Sequence, residues 1–289
     1  MRLDEAVAYV MDVEFVWGYQ ATIAGLTKTP PPYTYPPPTT LLGAVAEAVA
    51  RSEGLGESSL TSIMNCLTED LIAVALKPIN CIPVKYQDIN RVIAVRESGG
   101  SRYPSAKNPQ GSFDAPARGK TVLVSLNGEA PRIRWVLAWR RSPTLPAGAG
   151  RARLRPEHLW RVHRVGSKES LASVINVVRE APKPINRPDG GEVVTTTYSF
   201  PLRAVATCVK LVGDWVVEQY ADPFKPYGAG RGGSPESPAL RYLRGDTTPF
   251  ASPVLSARCG APVAHVRLSE RGVALRVGSY GTVLGVVRG

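Results

Sequence analysis

The sequence is poor in the residues that build metal centres and disulfide scaffolds. It has four cysteines, none of them in a CxxC pair, and three histidines among 289 residues. His158 and His163 are five residues apart, which puts them on different faces of a helix, and His265 is remote in the chain. We therefore expect no metal site, no secreted disulfide framework and no cofactor.

Long hydrophobic runs are also missing. No apolar run reaches the roughly 18 residues that a membrane-spanning helix needs. The N-terminal MRLDEAVAYVMDVEF carries acids within its apolar stretch, unlike a signal peptide. The glycine-rich GAGRGG does not follow a clear strand, and we expect that the next residues, SPESP, cannot start a helix, so it fails as a dinucleotide loop. We expect a cytoplasmic protein with no membrane partner.

Positive charge is concentrated in one part of the chain. The net charge is +11, yet residues 77–168 alone hold 18 lysines and arginines against five acids, a net charge of +13. The other residues, 17 basic and 19 acidic, are nearly neutral. Such concentration favours a polyanionic partner, most simply nucleic acid. The alternative is an arginine-rich surface suited to a hot environment, which the scarcity of glutamine and cysteine also fits.

Apolar periodicity predicts an α+β fold. The period changes between two and 3.6 along the first 182 residues, in the order β–α–β–β–α–β, which is that of a ferredoxin-like domain and of RNA-recognition motifs. We expect Thr39 or Thr40 to cap the first helix. The predicted elements are a strand at 6–17, a helix at 39–50, strands at 71–76 and 132–140, a helix from Pro156 and a strand at 171–179.

A long insertion and a second domain complete the predicted architecture. At about residues 82–131, two strands flank a polar, basic tip rich in glycine and proline, as in a long β-hairpin arm. We predict a domain at 1–182 that carries this arm and a β-rich domain at 183–289. The second domain is predicted to have strands at 193–211, 215–220, 263–268, 273–277 and 282–287, and a loop at 223–253.

The segment PPPYTYPPPTT runs six prolines into the start of the first predicted helix. Fixed proline φ angles give an extended approach that stops where the helix begins. The first-turn N–H groups would then be free to bind a phosphate, with Thr39 and Thr40 as hydroxyl donors and Gly43 permitting close approach. The alternative is a rigid connector with a capped helix end, and the local sequence favours neither.

The segment HRVGSKES places cations, a glycine and hydroxyl groups in a tight turn between helix and strand. Such a turn suits phosphate or ribose contacts, and Arg161 and Arg164 adjoin it. The alternative is a polar turn in which Gly166 only ends the helix. His163 and Lys168 could also assist attack by a ribose 2′-OH on its own phosphate, but the sequence identifies no third catalytic partner.

Two blocks, WGYQATIAGLTKTPPPYTYPPPTTLLGAVAEA and HRVGSKESLASVINV, resemble the Cas-five family of CRISPR-associated RAMP proteins, most of all its archaeal type I-A branch. The resemblance implies a ferredoxin-like domain with a β-hairpin thumb. It also implies a subunit of the Cascade surveillance complex in antiviral defence, which caps the complex by gripping the 5′ handle of the CRISPR RNA. The implied protein partners are the other Cascade subunits, especially the repeated backbone subunit and the large subunit.

The resemblance implies that the helix at 39–50 and the turn at 166–170 lie on the same RNA-facing side. It matches no residue of the arm, where candidates are chosen on charge alone. One branch of the family, type I-C, cleaves precursor RNA with tyrosine, lysine and histidine, but the proline-rich motif resembles the noncatalytic branch. We predict a noncatalytic subunit; the alternative is a metal-independent endoribonuclease that processes precursor CRISPR RNA. The RNA-binding candidates are Thr39, Thr40, Gly43, Lys85, Arg91, Arg102, Lys107, Arg118, Lys120, Arg161, His163, Arg164, Gly166, Ser167 and Lys168.

Overall fold

A computed structural model describes residues 3–22, 31–88, 96–98, 101–103, 118–148, 150–185, 192–228, 236, 238–256 and 260–287. It has many short antiparallel strands and few helices, which confirms the mixed α and β composition. None of the described helices is long and apolar enough to cross a membrane.

The first part of the chain contains all six predicted core elements. Its elements are β1 (Val7–Phe15), β2 (Gly18–Tyr19), α1 (Pro38–Ser52), α2 (Leu60–Glu69), β3 (Leu71–Pro78), β4 (Cys81–Asp88), β5 (Arg96–Ser98), β6 (Ser101–Tyr103), β7 (Arg118–Ser125), β8 (Arg132–Trp139), β9 (Thr144–Ala147), β10 (Gly150–Arg153), α3 (Pro156–Trp160) and β11 (Ala172–Glu180).

The remaining elements are mostly short strands. They are β12 (Lys183–Pro184), β13 (Val194–Thr196), β14 (Phe200–Pro201), β15 (Val205–Val212), β16 (Asp214–Ala221), α4 (Pro238–Leu243), β17 (Thr247–Val254), β18 (Val263–Leu268), β19 (Gly272–Val277) and β20 (Gly281–Val286). The strands of this group form three antiparallel sheets of three strands each, in the orders β12-β19-β20, β13-β18-β15 and β14-β17-β16.

The central sheet has the order β11-β1-β8-β3, and every neighbouring pair is antiparallel. One face, which includes Tyr9 and Met11, packs in a core with α1, α2 and α3. The other face, which includes Ala8 and Val10, packs against β19 and β20. Because both faces are covered, Asp12 is buried, and Arg134 pairs with it through two hydrogen bonds of 2.6 and 2.8 Å.

The predicted arm begins as a paired hairpin. Strands β4 and β7 pair along their whole length, and β2 adds to the other edge of β7. Beyond them, β5 and β6 pair with each other. The rest of the tip, residues 89–95, 99–100 and 104–117, lies outside the described residues.

Several local predictions are wrong. Pro37, not a threonine, is the N-cap of α1, and no side chain caps that end. Helix α2 and the hairpin of β9 and β10 were not predicted, and the predicted loop at 223–253 contains α4 and most of β17. Pro238 begins α4, although we expected SPESP not to start a helix; proline is well tolerated in a first helical turn.

The two parts of the chain share their cores. Phe250 and Val286 belong to the same buried cluster as the helices, and Leu275 and Val283 belong to the cluster on the other face of the central sheet. At Gly285, an added Cβ would lie only 2.2 Å from the carbonyl oxygen of Ile72, so β20 crosses β3 in direct backbone contact. The proposed division at residue 182 stays a prediction.

Candidate nucleic-acid interface

The proline segment before α1 is anchored in the protein rather than extended over its surface. Tyr33 and Tyr35 are buried, as are Pro36, Pro37 and Pro38. The carbonyl oxygen of Tyr33 accepts hydrogen bonds from the hydroxyl groups of Tyr19, at 2.7 Å, and Thr121, at 2.6 Å. The segment is therefore a rigid connector, and it holds the start of α1 in one position.

The prolines also determine how many donors the start of α1 offers. Pro37 and Pro38 have no N–H group, and the Thr40 N–H donates to the carbonyl oxygen of Pro37 at 2.9 Å. Among the described residues, the Thr39 N–H has no protein acceptor. The predicted set of free first-turn N–H groups is therefore reduced to one, supplemented by the hydroxyl groups of Thr39 and Thr40.

The turn at 166–170 is fixed against the end of β2. The Ser167 N–H donates to the Gln20 carbonyl oxygen at 3.1 Å, and the Gln20 N–H donates to Ser170 Oγ at 2.8 Å. Gly166 has a φ of +121°, and an added Cβ would lie 2.9 Å from both Gln20 O and Ser170 Oγ. The glycine therefore does more than end a helix, because it allows this close packing.

The two sequence motifs meet in one cleft. Thr39 and Thr40, from the start of α1, and Gly166, from the turn, line a depression of about 220 Å³. We call it the helix-start cleft. Its full lining is Gln20, Ala21, Thr22, Tyr33, Pro37, Thr39, Thr40, Gly166, Ala221 and Tyr242.

A basic surface continues from this cleft along α1. We define it as Arg51, Arg161, His163, Arg164 and Lys168, all at least partly exposed. Arg51 Nη2 donates to the Arg161 carbonyl oxygen at 2.6 Å and lies 3.0 Å from His163 Nδ1. These contacts therefore hold residues 161–163 against the C-terminal turn of α1.

Gly43 is on the same helix but does not line the cleft. An added Cβ there would meet no heavy atom within 4 Å, so the helix surface is open at this point.

Two tyrosines in the cleft are uncharged at neutral pH. The hydroxyl groups of Tyr33 and Tyr242 are hydrogen-bonded to each other, and the Tyr242 hydroxyl also donates to the Gln219 carbonyl oxygen at 2.5 Å. Burial raises the pKa of both phenols. Because they hold their protons firmly, they are suited to hydrogen bonding and ring contacts rather than to proton abstraction.

The candidates in the arm are only partly described. Lys85 forms an ion pair with Glu218, with Nζ 2.7 Å from Oε1, so this amine binds the second half of the chain. Lys120 lies opposite Tyr86 in the pairing of β7 with β4, and Arg118 begins β7. Arg102 lies in β6, while Arg91 and Lys107 lie outside the described residues. Their role as RNA contacts stays a prediction.

Sequence reasoning missed the part of the cleft that comes from the second half of the chain. Ala221 ends β16 and Tyr242 lies in α4, inside the segment predicted as a loop. No local pattern marks either residue, because their position depends on long-range packing. Tyr33 lies within the proline motif itself, between Pro32 and Thr34, and the sequence could have indicated it as a candidate for the site.

A crystal structure of a CRISPR protein from Archaeoglobus fulgidus matches with a TM-score of 0.67 and 33% sequence identity, over 97% of this chain and 100% of the other. The chain belongs to this family of CRISPR proteins. No protein-family model and no curated protein matches it. In the described part of this chain, the helix-start cleft and the basic surface combine hydrogen-bond donors with positive charge.

Proposed function

We propose that this CRISPR protein is a noncatalytic RNA-binding subunit of a type I surveillance complex, of the Cas-five family and its type I-A branch, and that it grips the 5′ handle of the CRISPR RNA. The observation that carries the proposal is the meeting of the threonines of α1 with the turn of Gly166 in one cleft. The two motifs come from distant parts of the chain, and although both add buried side chains to one core, a common ligand would account for the polar groups that both turn toward the cleft.

The sheet topology supports the same assignment. In the order β11-β1-β8-β3, the fourth and first strands of the β–α–β–β–α–β pattern are neighbours, followed by the third and second. This is the arrangement of a ferredoxin-like domain. We propose that β4 and β7 form the base of the thumb.

The chemistry of the cleft suits a sugar–phosphate backbone. The Thr39 N–H, at the positive end of α1, and the Thr40 hydroxyl group would donate to phosphate oxygens, and the Thr39 hydroxyl group, which also interacts with Tyr227, lies beside them. The basic surface beside them supplies charge for the next phosphates. These contacts position an RNA strand without reading its bases; base recognition would come from stacking on side chains such as Tyr33 and Tyr242.

We propose no nuclease activity, because the histidine and the tyrosines that could assist cleavage are already engaged. His163 Nδ1 accepts a hydrogen bond from Arg51, and the cleft tyrosines keep their protons. The metal-independent endoribonuclease therefore remains the weaker alternative. Incubation of labelled precursor RNA with the purified protein in EDTA should leave the RNA intact. Specific cleavage that is lost in His163→Ala or Lys168→Ala would contradict the noncatalytic assignment.

The role as a cap of the complex follows from the resemblance of the sequence to the Cas-five family. The partners would be the repeated backbone subunit, the large subunit and the CRISPR RNA, in the cytoplasm. We expect these subunits to copurify when the protein is expressed with its neighbours.

The decisive experiment is to purify the protein with its neighbours and sequence the bound RNA. We expect discrete RNAs that share one 5′ end. The double variant Thr39→Val with Thr40→Val keeps the side-chain shape and removes both hydroxyl groups, so it should recover less RNA. Thr207→Val, at an exposed position of β15, is the matched control. Bound RNA with random ends, or none, would refute the handle assignment.

A further inference from the structure

One acid lies in the middle of the basic surface. Glu47 is on α1, one turn before Arg51, and its Oε1 lies 3.0 Å from Arg51 Nε and 3.9 Å from Arg164 Nη2. Its Oε2 lies 3.8 Å from His163 Nδ1. The glutamate side chain is 26% exposed, whereas those of Arg51 and Arg164 are 49% and 40% exposed. A carboxylate therefore sits between two solvent-accessible guanidinium groups.

Only one of these three contacts is a hydrogen bond. The 3.0 Å contact with Arg51 is of ordinary length, but 3.8 and 3.9 Å are too long. His163 Nδ1 accepts from Arg51 Nη2, so this nitrogen carries no proton to give to Glu47. Arg164 is near a negative charge without a direct hydrogen bond to it. The carboxylate thus occupies the position between the two guanidinium groups but forms a hydrogen bond with only one of them.

We propose that Glu47 is an internal substitute for a phosphate. In the RNA-free protein its carboxylate occupies the position between Arg51 and Arg164, and a phosphate of the bound RNA displaces it. This inference rests on the proposed RNA-binding function and adds a regulatory element to the same site. Carboxylates and phosphates bind guanidinium groups with the same geometry, so they compete for them directly. Glu47 has a flexible side chain that can rotate into solvent once it is replaced.

The expected consequence is that the site prefers a continuous RNA strand to small anions. Displacing Glu47 costs free energy, so a free nucleotide or inorganic phosphate gains little at this position. An RNA strand already bound in the helix-start cleft brings its next phosphate at a high effective concentration, which offsets the cost. Glu47 thereby favours RNA anchored at Thr39 and Thr40 over small anions.

The test is the affinity of Glu47→Gln for a labelled single-stranded oligouridylate, measured across a range of salt concentrations. We expect binding to tighten by roughly three- to tenfold, because one unit of charge repulsion near the phosphate is removed. The slope of log affinity against log salt concentration (the salt slope) should stay unchanged, because both proteins make the same number of phosphate contacts. Pyrophosphate should also compete better with the RNA for the variant than for the wild type.

Two controls accompany the variant. Glu57→Gln removes the same charge from an exposed position before α2 and should leave the affinity unchanged. Adding Arg164→Gln to Glu47→Gln should abolish the gain, because the guanidinium that receives the phosphate is removed. Thermal unfolding of each protein confirms that it is folded.

The outcomes separate the inference from the function. RNA binding by the wild type with no gain, or a loss, in Glu47→Gln would overturn the inference and leave the function standing. A salt slope steeper by about one would also overturn it, because Glu47 would then block a phosphate contact permanently instead of yielding to it. No RNA binding by either protein would overturn both.

Discussion

At the scale of the residue, two glycines near the proposed RNA path differ in what they do. Gly43 has open space around it on α1, whereas Gly166 has a positive φ and backbone in contact. Gly43 lowers the stability of α1, whereas the turn requires the glycine at Gly166. Substitution at the two sites should therefore have opposite effects on folding.

Gly43→Glu tests whether the exposed face of α1 meets RNA. The variant adds a helix-favouring residue in open space, so it should fold normally, but its charge lies between the helix-start cleft and Glu47. We expect RNA affinity to fall by at least about tenfold, as one repulsive contact of about 1.4 kcal/mol would produce. Gly43→Ala is the control: it should raise the free energy of unfolding by about 0.5–1 kcal/mol and keep the affinity. A folded Gly43→Glu with wild-type affinity would place the RNA elsewhere.

Gly166→Ala tests the turn. Its φ of +121° is unfavourable for alanine, and the added methyl group would lie 2.9 Å from Gln20 O and Ser170 Oγ. We expect a decrease of about 1–3 kcal/mol in the free energy of unfolding, measured by urea denaturation. RNA affinity should fall too, because the turn moves away from the cleft. Unchanged stability and affinity would show that the turn is not held as described.

At the scale of the element, we expect the arm to contain two kinds of charge, those that bind RNA and those that hold the fold. Arg118→Gln with Lys120→Gln, in β7, should lower RNA affinity and reduce the salt slope by about 0.7 for each phosphate that the variant no longer neutralises. Lys85→Gln should instead reduce stability by about 1 kcal/mol, because the buried Glu218 carboxylate loses a cationic partner. The carboxylate keeps its hydrogen bonds from Thr34 and Tyr220. Titrations at several salt concentrations and urea denaturation measure the two effects. A salt slope that falls only in Lys85→Gln would reverse this assignment.

Local periodicity predicted the elements whose burial follows a simple pattern. It identified β8, with buried Ile133 and Trp135, and α1, with its valine and leucine stripe. Helix α2 was overlooked although Leu60, Ile63, Met64 and Leu67 have helical spacing, so its signal was present.

Another feature could not be predicted from local patterns. Tyr242 reaches the cleft through packing between α4 and β16. This position depends on contacts between residues that are distant in the sequence.

At the scale of the whole molecule, the shared cores bear on how the chain folds. Nearly all residues of strand β1 are buried, because the helices cover one face and β19 and β20 cover the other. Ser199, far along the chain, exchanges hydrogen bonds with Leu76 of β3: its N–H donates at 2.7 Å, and its hydroxyl oxygen accepts at 2.9 Å. The first 182 residues thus rely on the rest of the chain for part of their burial.

This dependence predicts that residues 1–182 do not fold alone. Without β19 and β20, the face of Ala8, Val10 and Ile72 would be exposed to water, at a cost of about 25 cal/mol per Å² of apolar surface. We expect the fragment to bind a hydrophobic dye and to lack a cooperative thermal transition and near-ultraviolet circular dichroism. Coexpression with residues 183–289 should restore the native behaviour in all three measurements, since the covering strands are then supplied in trans. A cooperative transition in the isolated fragment would instead establish it as an independent domain, with the contacts to β20 as an interface between two folded units.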